Sequence, residues 1–295
     1  MLAQYAVTPP TRISGLADVS DRYDAVLCDV WGVLHNGVRC WPDAATALQS
    51  FRQQGGRVVL ITNAPRPARP VIAQLRGLGV PDDAYDAIVT SGDVTRTLIA
   101  RAAERGNGAV HHIGTAAERS LFEGLDVQVV PEEKARTIVC TGLRDDGAEA
   151  PEDYAAELAR LAERELTMIC ANPDIVVERG RRLAWCAGAL ARDYRAVGGQ
   201  TAIAGKPHAP IYERAFEHLV DLLGPLPRER VLAIGDGLPT DVRGARENGF
   251  PLLYISSGIH SAEYGDPDDP DFERLAAFLS DHDAAPAHTM PRLAP

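Results

Sequence analysis

The chain has 295 residues, of which 45% are hydrophobic and 24% are charged, and its formal net charge at pH 7 is −11. This length is enough for one large domain or for two moderate ones. The acidic balance argues against nucleic acid as a partner, because phosphate backbones attract basic surfaces, and the apolar runs are too short to span a membrane.

The first part of the chain alternates short apolar runs with helical patterns, which is typical of a parallel sheet with crossover helices. The pattern predicts a strand over 24–29, followed by a helix that begins at Pro42 and ends before Gly55. Further strands are predicted over 58–61 and 87–89, with another helix between them. The polar residues that end these three strands are Asp29, Thr62 with Asn63, and Thr90 with Ser91.

The middle of the chain forms a second predicted α/β block. Its predicted elements are strands over 109–113, 137–140 and 166–170 and a helix over 151–164. Because the first α/β pattern stops before this block and resumes after it, we interpret residues 91–200 as an inserted lid domain. Residues 1–90 and 201–295 then form one discontinuous core. The predicted fold is α/β, with a Rossmann-like parallel-sheet core and a smaller inserted α/β lid.

The last part of the chain returns to the first pattern. Its predicted elements are a strand over 202–204, an amphipathic helix over 211–223, a strand over 231–234, a short helix from 240 and a strand over 252–255. The first of these strands leads into Gly205-Lys206-Pro207, and the second leads into Gly235-Asp236. Residues 281–295, with their Ala-Pro spacing, are predicted to be a flexible tail.

Chemically useful side chains end the predicted core strands. They are a carboxylate, a hydroxyl, an ammonium group and a second carboxylate, from Asp29, Thr62, Lys206 and Asp236. In an open α/β sheet, ligands bind in the crevice outside the carboxyl ends of the strands. Lys206 is informative by composition as well, because only two of the 30 basic residues are lysine. The set suits a phosphate and a divalent cation.

Four motifs carry a resemblance to a known family. They are Asp29-Val30-Trp31-Gly32-Val33-Leu34, Ile61-Thr62-Asn63, Gly205-Lys206-Pro207 and Gly235-Asp236-Gly237-Leu238-Pro239-Thr240-Asp241. In this order, each at a strand end, they resemble the haloacid dehalogenase (HAD) superfamily of hydrolases. The insertion, which contains Asn172-Pro173-Asp174, resembles the type-2 lid of the nitrophenylphosphatase-like branch, class IIA.

The resemblance implies a phosphatase that acts through an aspartyl-phosphate. Asp29 would be the nucleophile, which splits one difficult displacement into two easier ones. Asp29 and Asp236, with the backbone carbonyl of Trp31, would hold Mg²⁺, and Asp241 would act in the outer shell of the metal. The implied substrate is a small phosphorylated metabolite.

Other implied roles concern phosphate binding and the lid. The hydroxyl of Thr62, the backbone N–H of Asn63 and the ammonium group of Lys206 would bind phosphate oxygens, and Lys206 would also pair with Asp29. Asn172 and Asp174 allow two interpretations. They form an ordinary turn, or they are lid residues that approach the substrate.

The sequence departs from the family at Trp31. Most phosphatases of this superfamily carry a second aspartate there, which protonates the leaving oxygen and then deprotonates the attacking water. An indole is a donor only and cannot shuttle a proton. General acid–base catalysis typically contributes about 10²–10⁴ in rate, so the sequence predicts an impaired or altered acid/base step. His35, on the loop after the strand, is the candidate substitute.

Three alternatives stay open at this point. True dehalogenases carry an aromatic residue at the position of Trp31, so C–halogen hydrolysis is a rival reaction, although Asp236 and Asp241 retain the metal carboxylates. Phosphonate cleavage would need a buried lid lysine, and nothing in the sequence around Lys134, the only lysine of the lid, suggests one. A phosphoryl-ligand sensor with little turnover is the third alternative.

The cysteines bear on the cellular compartment. Five cysteines are an odd number, and most lie in apolar neighbourhoods without the spacing of a zinc site. This pattern predicts reduced thiols, and the N-terminus lacks the pattern of a signal peptide, so we predict a cytoplasmic protein. The identity of the substrate and the oligomeric state stay open, with a homodimer formed through the lid as one expected assembly.

Overall fold

The computed structural model describes residues 9–106, 108–145, 147–179 and 182–295. The strands are β1 Thr11–Arg12, β2 Ala25–Asp29, β3 Arg57–Thr62, β4 Ala87–Thr90, β5 Ala109–Ile113, β6 Gln128–Val129, β7 Thr137–Cys140, β8 Thr167–Cys170, β9 Val176–Arg179, β10 Arg182–Trp185, β11 Gln200–Ile203, β12 Val231–Gly235, β13 Leu252–Ile255 and β14 His288–Met290. The α-helices are α1 Pro42–Gln53, α2 Ala68–Leu78, α3 Ser91–Gly106, α4 Ala155–Glu163, α5 Ala187–Ala196, α6 Ala209–Leu223, α7 Arg243–Glu247 and α8 Phe272–Asp281. No helix in these ranges is both long enough and apolar enough to cross a membrane.

A seven-stranded sheet has the order β1-β14-β13-β12-β2-β3-β4. The central strand β2 pairs in parallel with β12 on one side and with β3 on the other. Its residues Ala25 to Cys28 have no exposed surface, because a parallel sheet with helices on its faces buries both sides of a strand. The core strands predicted over 24–29, 58–61, 87–89, 231–234 and 252–255 are confirmed in this sheet. The continuous apolar runs that predicted them reflect this burial on both faces. The strand predicted over 202–204 corresponds to β11, which pairs with β8 in a different, five-stranded sheet.

The end of the chain corrects the predicted flexible tail over 281–295. Strand β14, His288–Met290, pairs in parallel with both β13 and β1. Leu293 is buried, and the backbone N–H of Leu16 donates to the carbonyl of Ala294 at 2.9 Å. This segment has a defined conformation because its backbone pairs with strands that are distant in sequence. Local Ala-Pro spacing does not reveal such pairing.

A five-stranded sheet has the order β11-β8-β7-β5-β6, and its strands pair in parallel. Strands β9 and β10 form a separate antiparallel pair. Apolar side chains cover both faces of the five-stranded sheet. One face buries Ile138, Met168, Leu158 and Leu190, and the other buries Val139, Ile169 and Ile99. The predicted fold class, an α/β Rossmann-like core with a smaller α/β lid, is confirmed.

The chain divides into two compact units. The first unit comprises Met1–Ile61, Leu75–Ile88 and Ala215–Pro295, and the second comprises Thr62–Gln74 and Val89–Arg214. The predicted boundaries, 1–90 with 201–295 and 91–200, differ from this division, because residues 62–74, 89–90 and 201–214 group with the second unit.

A partly buried ion-pair cluster links β5 and α4 in the second unit. Nε2 of His111, on β5, lies 2.8 Å from Oε1 of Glu157, on α4, and the guanidinium of Arg144 donates to both carboxylate oxygens. Burial by itself would raise the pKa of Glu157, but the hydrogen bonds from His111 and Arg144 outweigh it and lower this pKa to about 2. The ionised form of Glu157 is therefore favoured in the folded state.

Replacing Glu157 with glutamine is expected to lower the free energy of unfolding by about 2–3 kcal/mol at neutral pH. Since the pKa of Glu157 is depressed on folding, its contribution is complete above the unfolded pKa and is lost as the pH falls from 4.5 towards about 2. Urea denaturation of the wild type and of Glu157→Gln over this pH range measures the difference. Glu163→Gln, an exposed change on the same helix, is the control, and an equal effect of both variants would contradict the assignment.

Candidate active site

Two aspartates leave the large sheet at the same edge. Asp29 is the last residue of β2, and Asp236 directly follows β12. Strands β2 and β12 are parallel neighbours, with Cys28 paired with Ile234. Because parallel strands in register end together, the two carboxylates lie side by side, as the sequence predicted.

Asp29, Asp236 and Asp241 each offer an oxygen atom, and these atoms all lie within 4.8 Å of one another. The three residues are only 4–7% exposed. Ionised carboxylates at this separation repel one another, and a cation bound between them would relieve that repulsion. Carboxylate oxygens are the ligands that hard cations such as Mg²⁺ and Ca²⁺ prefer. The donor set therefore fits the divalent cation that the sequence predicted.

Backbone groups hold two of these carboxylates in place. Oδ2 of Asp236 accepts the N–H of Ile259 at 3.1 Å. Asp241 lies in a π-helical turn, Leu238–Val242, and its Oδ2 accepts the N–H of Gly237 at 3.1 Å and the hydroxyl of Thr240 at 3.3 Å. These bonds fix the orientation of the two carboxylates before any ligand binds. Metal binding then needs to immobilise these side chains less.

Three glycines leave room for the same carboxylates. A Cβ on Gly32, whose φ is +86°, would lie 2.4 Å from Oδ2 of Asp236, and a Cβ on Gly258 would lie 1.9 Å from it. A Cβ on Gly235 would lie 2.3 Å from Cγ of Asp241. Gly32 and Gly235 belong to two of the motifs identified in the sequence, whereas Gly258 does not. The sequence predicted no role for the backbone of Gly258 and Ile259, although these residues lie just after the predicted strand that ends at 255.

Trp31 packs against the loop that follows Asp29. Its ring meets the ring of His35 edge to face, with the centroids 5.0 Å apart. A Cβ on Gly37 would lie 2.6 Å from the indole, so the indole and the Gly37 backbone are in close contact. The indole is therefore held between His35 and the backbone of Gly37.

His35 is buried, and its Nδ1 accepts the N–H of Gly37 at 2.9 Å. Burial lowers the pKa of His35 to about 4. The imidazole is therefore neutral near pH 7, with its proton on Nε2, and it holds no readily released proton. This protonation state does not favour the predicted role of His35 as a substitute acid, which stays a prediction.

The predicted phosphate-binding residues lie in the second unit, and all three are buried. The backbone N–H of Lys206 donates to Oδ1 of Asn63 at 2.7 Å. Oγ1 of Thr62 accepts the N–H of Ala64 at 3.3 Å, which orients the hydroxyl group. The contact of Thr62, Asn63 and Lys206 with phosphate stays a prediction.

The lid residues Asn172 and Asp174 form a turn. Oδ1 of Asn172 accepts the N–H of Asp174 at 3.1 Å, and Oδ1 of Asp174 accepts Nδ2–H of Asn63 at 2.9 Å. The turn therefore brings Asp174 to one of the predicted phosphate-binding residues, and a substrate contact of Asp174 stays a prediction.

Comparisons with known proteins identify the family of this chain. A family model described as haloacid dehalogenase-like hydrolase matches residues 26–128, and a HAD-hydrolase-like model matches residues 203–281. A crystal structure of a haloacid dehalogenase-like hydrolase from Brucella suis is 49% identical, with a TM-score of 0.85, over 97% of this chain and 100% of that chain.

Two more distant relatives have named activities. A crystal structure of a glycerol phosphate phosphatase from Mycobacterium tuberculosis, in complex with calcium, is 25% identical, with a TM-score of 0.61, over 88% of this chain and 74% of that chain. The ribonucleotide monophosphatase NagD from Escherichia coli is 24% identical over 81% of this chain and 89% of its own length.

Proposed function

The chain belongs to the haloacid dehalogenase-like hydrolases, and on that premise we propose that it is a Mg²⁺-dependent phosphatase of small phosphorylated metabolites. The observation that carries the proposal is the buried set of three carboxylate oxygens from Asp29, Asp236 and Asp241, which fits one hard cation. The phosphatase names of the relatives from M. tuberculosis and E. coli support it.

Asp29 is the proposed nucleophile. One of its carboxylate oxygens attacks phosphorus, the bond from phosphorus to the leaving oxygen breaks, and water then cleaves the aspartyl-phosphate. Lys206, Thr62 and the backbone N–H of Asn63 are the proposed phosphate ligands. Asp29 and Asp236, with the carbonyl of Trp31, are the proposed direct metal ligands, and Asp241 is the proposed outer-shell carboxylate. Bound Mg²⁺ supplies positive charge for the phosphoryl oxygens.

We propose that Trp31 limits the proton transfers of this reaction. Neither the indole nor a neutral His35 donates a proton readily to a leaving alkoxide, so we propose that the enzyme handles good leaving groups far better than poor ones. The second step needs a base to deprotonate the attacking water. That step is also slowed, because an indole does not accept a proton and His35, whose pKa is lowered to about 4, is a weak base.

A purified-protein assay tests the proposed function. An aryl phosphate, an alkyl phosphate and a haloacid are each supplied with and without Mg²⁺. The proposal predicts Mg²⁺-dependent hydrolysis of the aryl phosphate and slow hydrolysis of the alkyl phosphate. Metal-independent release of halide would identify a dehalogenase instead, and tight binding of a phosphorylated ligand without turnover would identify a sensor.

Replacing Trp31 with aspartate is expected to raise turnover of the alkyl phosphate by about 10–100-fold, because it supplies the missing acid. Turnover of the aryl phosphate changes much less, since an activated leaving group needs little protonation. Parallel measurements of kcat for both substrates provide the comparison. Trp31→Phe is the matched control without a carboxylate, and an equal gain in both variants would show that relief of crowding, not acid catalysis, is responsible.

A further inference from the structure

The side chain of Asn63 connects two distant segments of the second unit. Its Oδ1 accepts the N–H of Lys206 at 2.7 Å, and its Nδ2 lies 3.3 Å from the carbonyl oxygen of Lys206. The same Nδ2 donates to Oδ1 of Asp174 at 2.9 Å. Asn63 is 4% exposed, so these bonds form away from water, where an unmade hydrogen bond is costly.

The chain around Gly205 leaves little room for Lys206 to move. A Cβ on Gly205 would lie 2.7 Å from Oδ1 of Asn63, 2.6 Å from Oγ of Ser91 and 2.8 Å from Cδ of Pro173. Segments that follow β3, β4 and β8 therefore enclose the backbone that carries Lys206. The side chain of Lys206 is itself buried, with the whole residue 2% exposed.

The turn that carries Asp174 is also fixed. The N–H of Gly188 donates to the carbonyl of Asp174 at 3.1 Å, and a Cβ on Gly188 would lie 2.1 Å from the carbonyl oxygen of Pro173. Together with the bond from Asp174 N–H to Asn172, these contacts hold the carboxylate where Nδ2 of Asn63 meets it.

Only a side-chain amide at position 63 can hydrogen-bond to both the N–H of Lys206 and the carboxylate of Asp174. The N–H of Lys206 requires an acceptor, whereas the carboxylate of Asp174 requires a donor, and the two ends of an amide provide one of each. Aspartate at position 63 has the same shape but would set one carboxylate against another. The chemistry of the two partners therefore defines both the residue type and the orientation of its amide.

We propose that Asn63 is a positioning residue, whose side chain holds Lys206 in its working position and is itself oriented by Asp174. The inference rests on the proposed function in that Lys206 is taken as a phosphate ligand. In this proposal the side chain of Asn63 has a role in addition to that of its backbone N–H. The turn formed by Asn172 and Asp174 then helps to position Lys206.

Selective acetylation of lysine tests the positioning directly and without any substrate. The chain has only two lysines, buried Lys206 and exposed Lys134, so Lys134 is an internal reference in every sample. Asn63→Asp is expected to raise labelling of Lys206 relative to Lys134 by about 10-fold, because loss of the bond to Asp174 frees the segment to open. It is also expected to reduce kcat/KM for an aryl phosphate by about 10–100-fold, with most of the loss in kcat.

The double variant Asn63→Asp with Asp174→Asn reverses the donor and the acceptor and restores one hydrogen bond between them. It is expected to return both the labelling ratio and kcat/KM to within about 3-fold of wild type, which simple damage to the fold would not allow. Ser91→Ala is the matched control, because the Ser91 hydroxyl lies in the same enclosure and makes no hydrogen bond within the described residues.

Unchanged Lys206 labelling in Asn63→Asp, or a double variant no better than the single one, would overturn the proposal. The two readouts also separate the two proposals. Labelling that follows the expected pattern supports the positioning role even if no phosphate ester is hydrolysed, and that absence of hydrolysis counts against the proposed function alone.

Discussion

Asp29→Asn is expected to reduce kcat/KM for an aryl phosphate by at least about 10⁴-fold, since the amide is neutral and a poor nucleophile. Asp29 ends the central strand, is 5% exposed and lies beside the two other carboxylates. The substitution keeps the shape of the side chain, so the loss reports chemistry and metal binding, not packing. Steady-state kinetics with product detection provides the measurement.

Asp24→Asn is the matched control for this prediction. Asp24 precedes the same strand at its opposite end and pairs with Arg230 near the surface, where an ion pair contributes little to stability. We expect the control to keep wild-type kinetics. Retention of more than about one tenth of the activity in Asp29→Asn would remove Asp29 from the nucleophile's role.

The second large effect concerns the metal. Treatment with a chelator is expected to reduce hydrolysis to background, and added Mg²⁺ is expected to restore it. In Asp236→Asn, the Mg²⁺ concentration for half-maximal activity should rise by at least about 100-fold, because a direct ligand is lost from a set of three. In Asp241→Asn the rise should be smaller, about 10-fold, as expected for an outer-shell carboxylate.

Mg²⁺ titration of activity, with direct binding by calorimetry, measures both effects. Asp268→Asn is the control, because Asp268 is an exposed carboxylate that pairs with Arg292 away from the three carboxylates. Full activity after exhaustive chelation would contradict the metal assignment. Equal Mg²⁺ requirements in Asp236→Asn and the wild type would contradict the role of Asp236 in particular.

The main features of the fold and the metal site follow from local patterns in the sequence. Asp29 and Asp236 each end a continuous apolar run, and such runs mark strands that are buried on both faces of a parallel sheet. Parallel strands place their terminal residues at one edge of the sheet. Residues that are far apart in the sequence can therefore lie close together there. This is why two carboxylates about 200 residues apart were predicted to meet.

Other features depend on contacts that no local pattern encodes. Strand β14 is three residues long and is ordered by pairing with β13 and β1. The protonation of His35 depends on its burial, which the sequence of an exposed-looking loop does not indicate. The side-chain bonds of Asn63 join residues more than 100 positions away, so its sequence motif predicts a role only for its backbone N–H.

The most direct test of Asp29 as the nucleophile is a rapid-quench experiment that looks for phosphorylated Asp29 during turnover of an aryl phosphate with Mg²⁺. Because the second step lacks an efficient base, we expect a burst of the aryl alcohol and a trapped phosphoryl group on the peptide that contains Asp29. The group should be absent in Asp29→Asn. Turnover without any phosphorylated peptide, or with the phosphoryl group on another residue, would contradict the claim that Asp29 is the nucleophile.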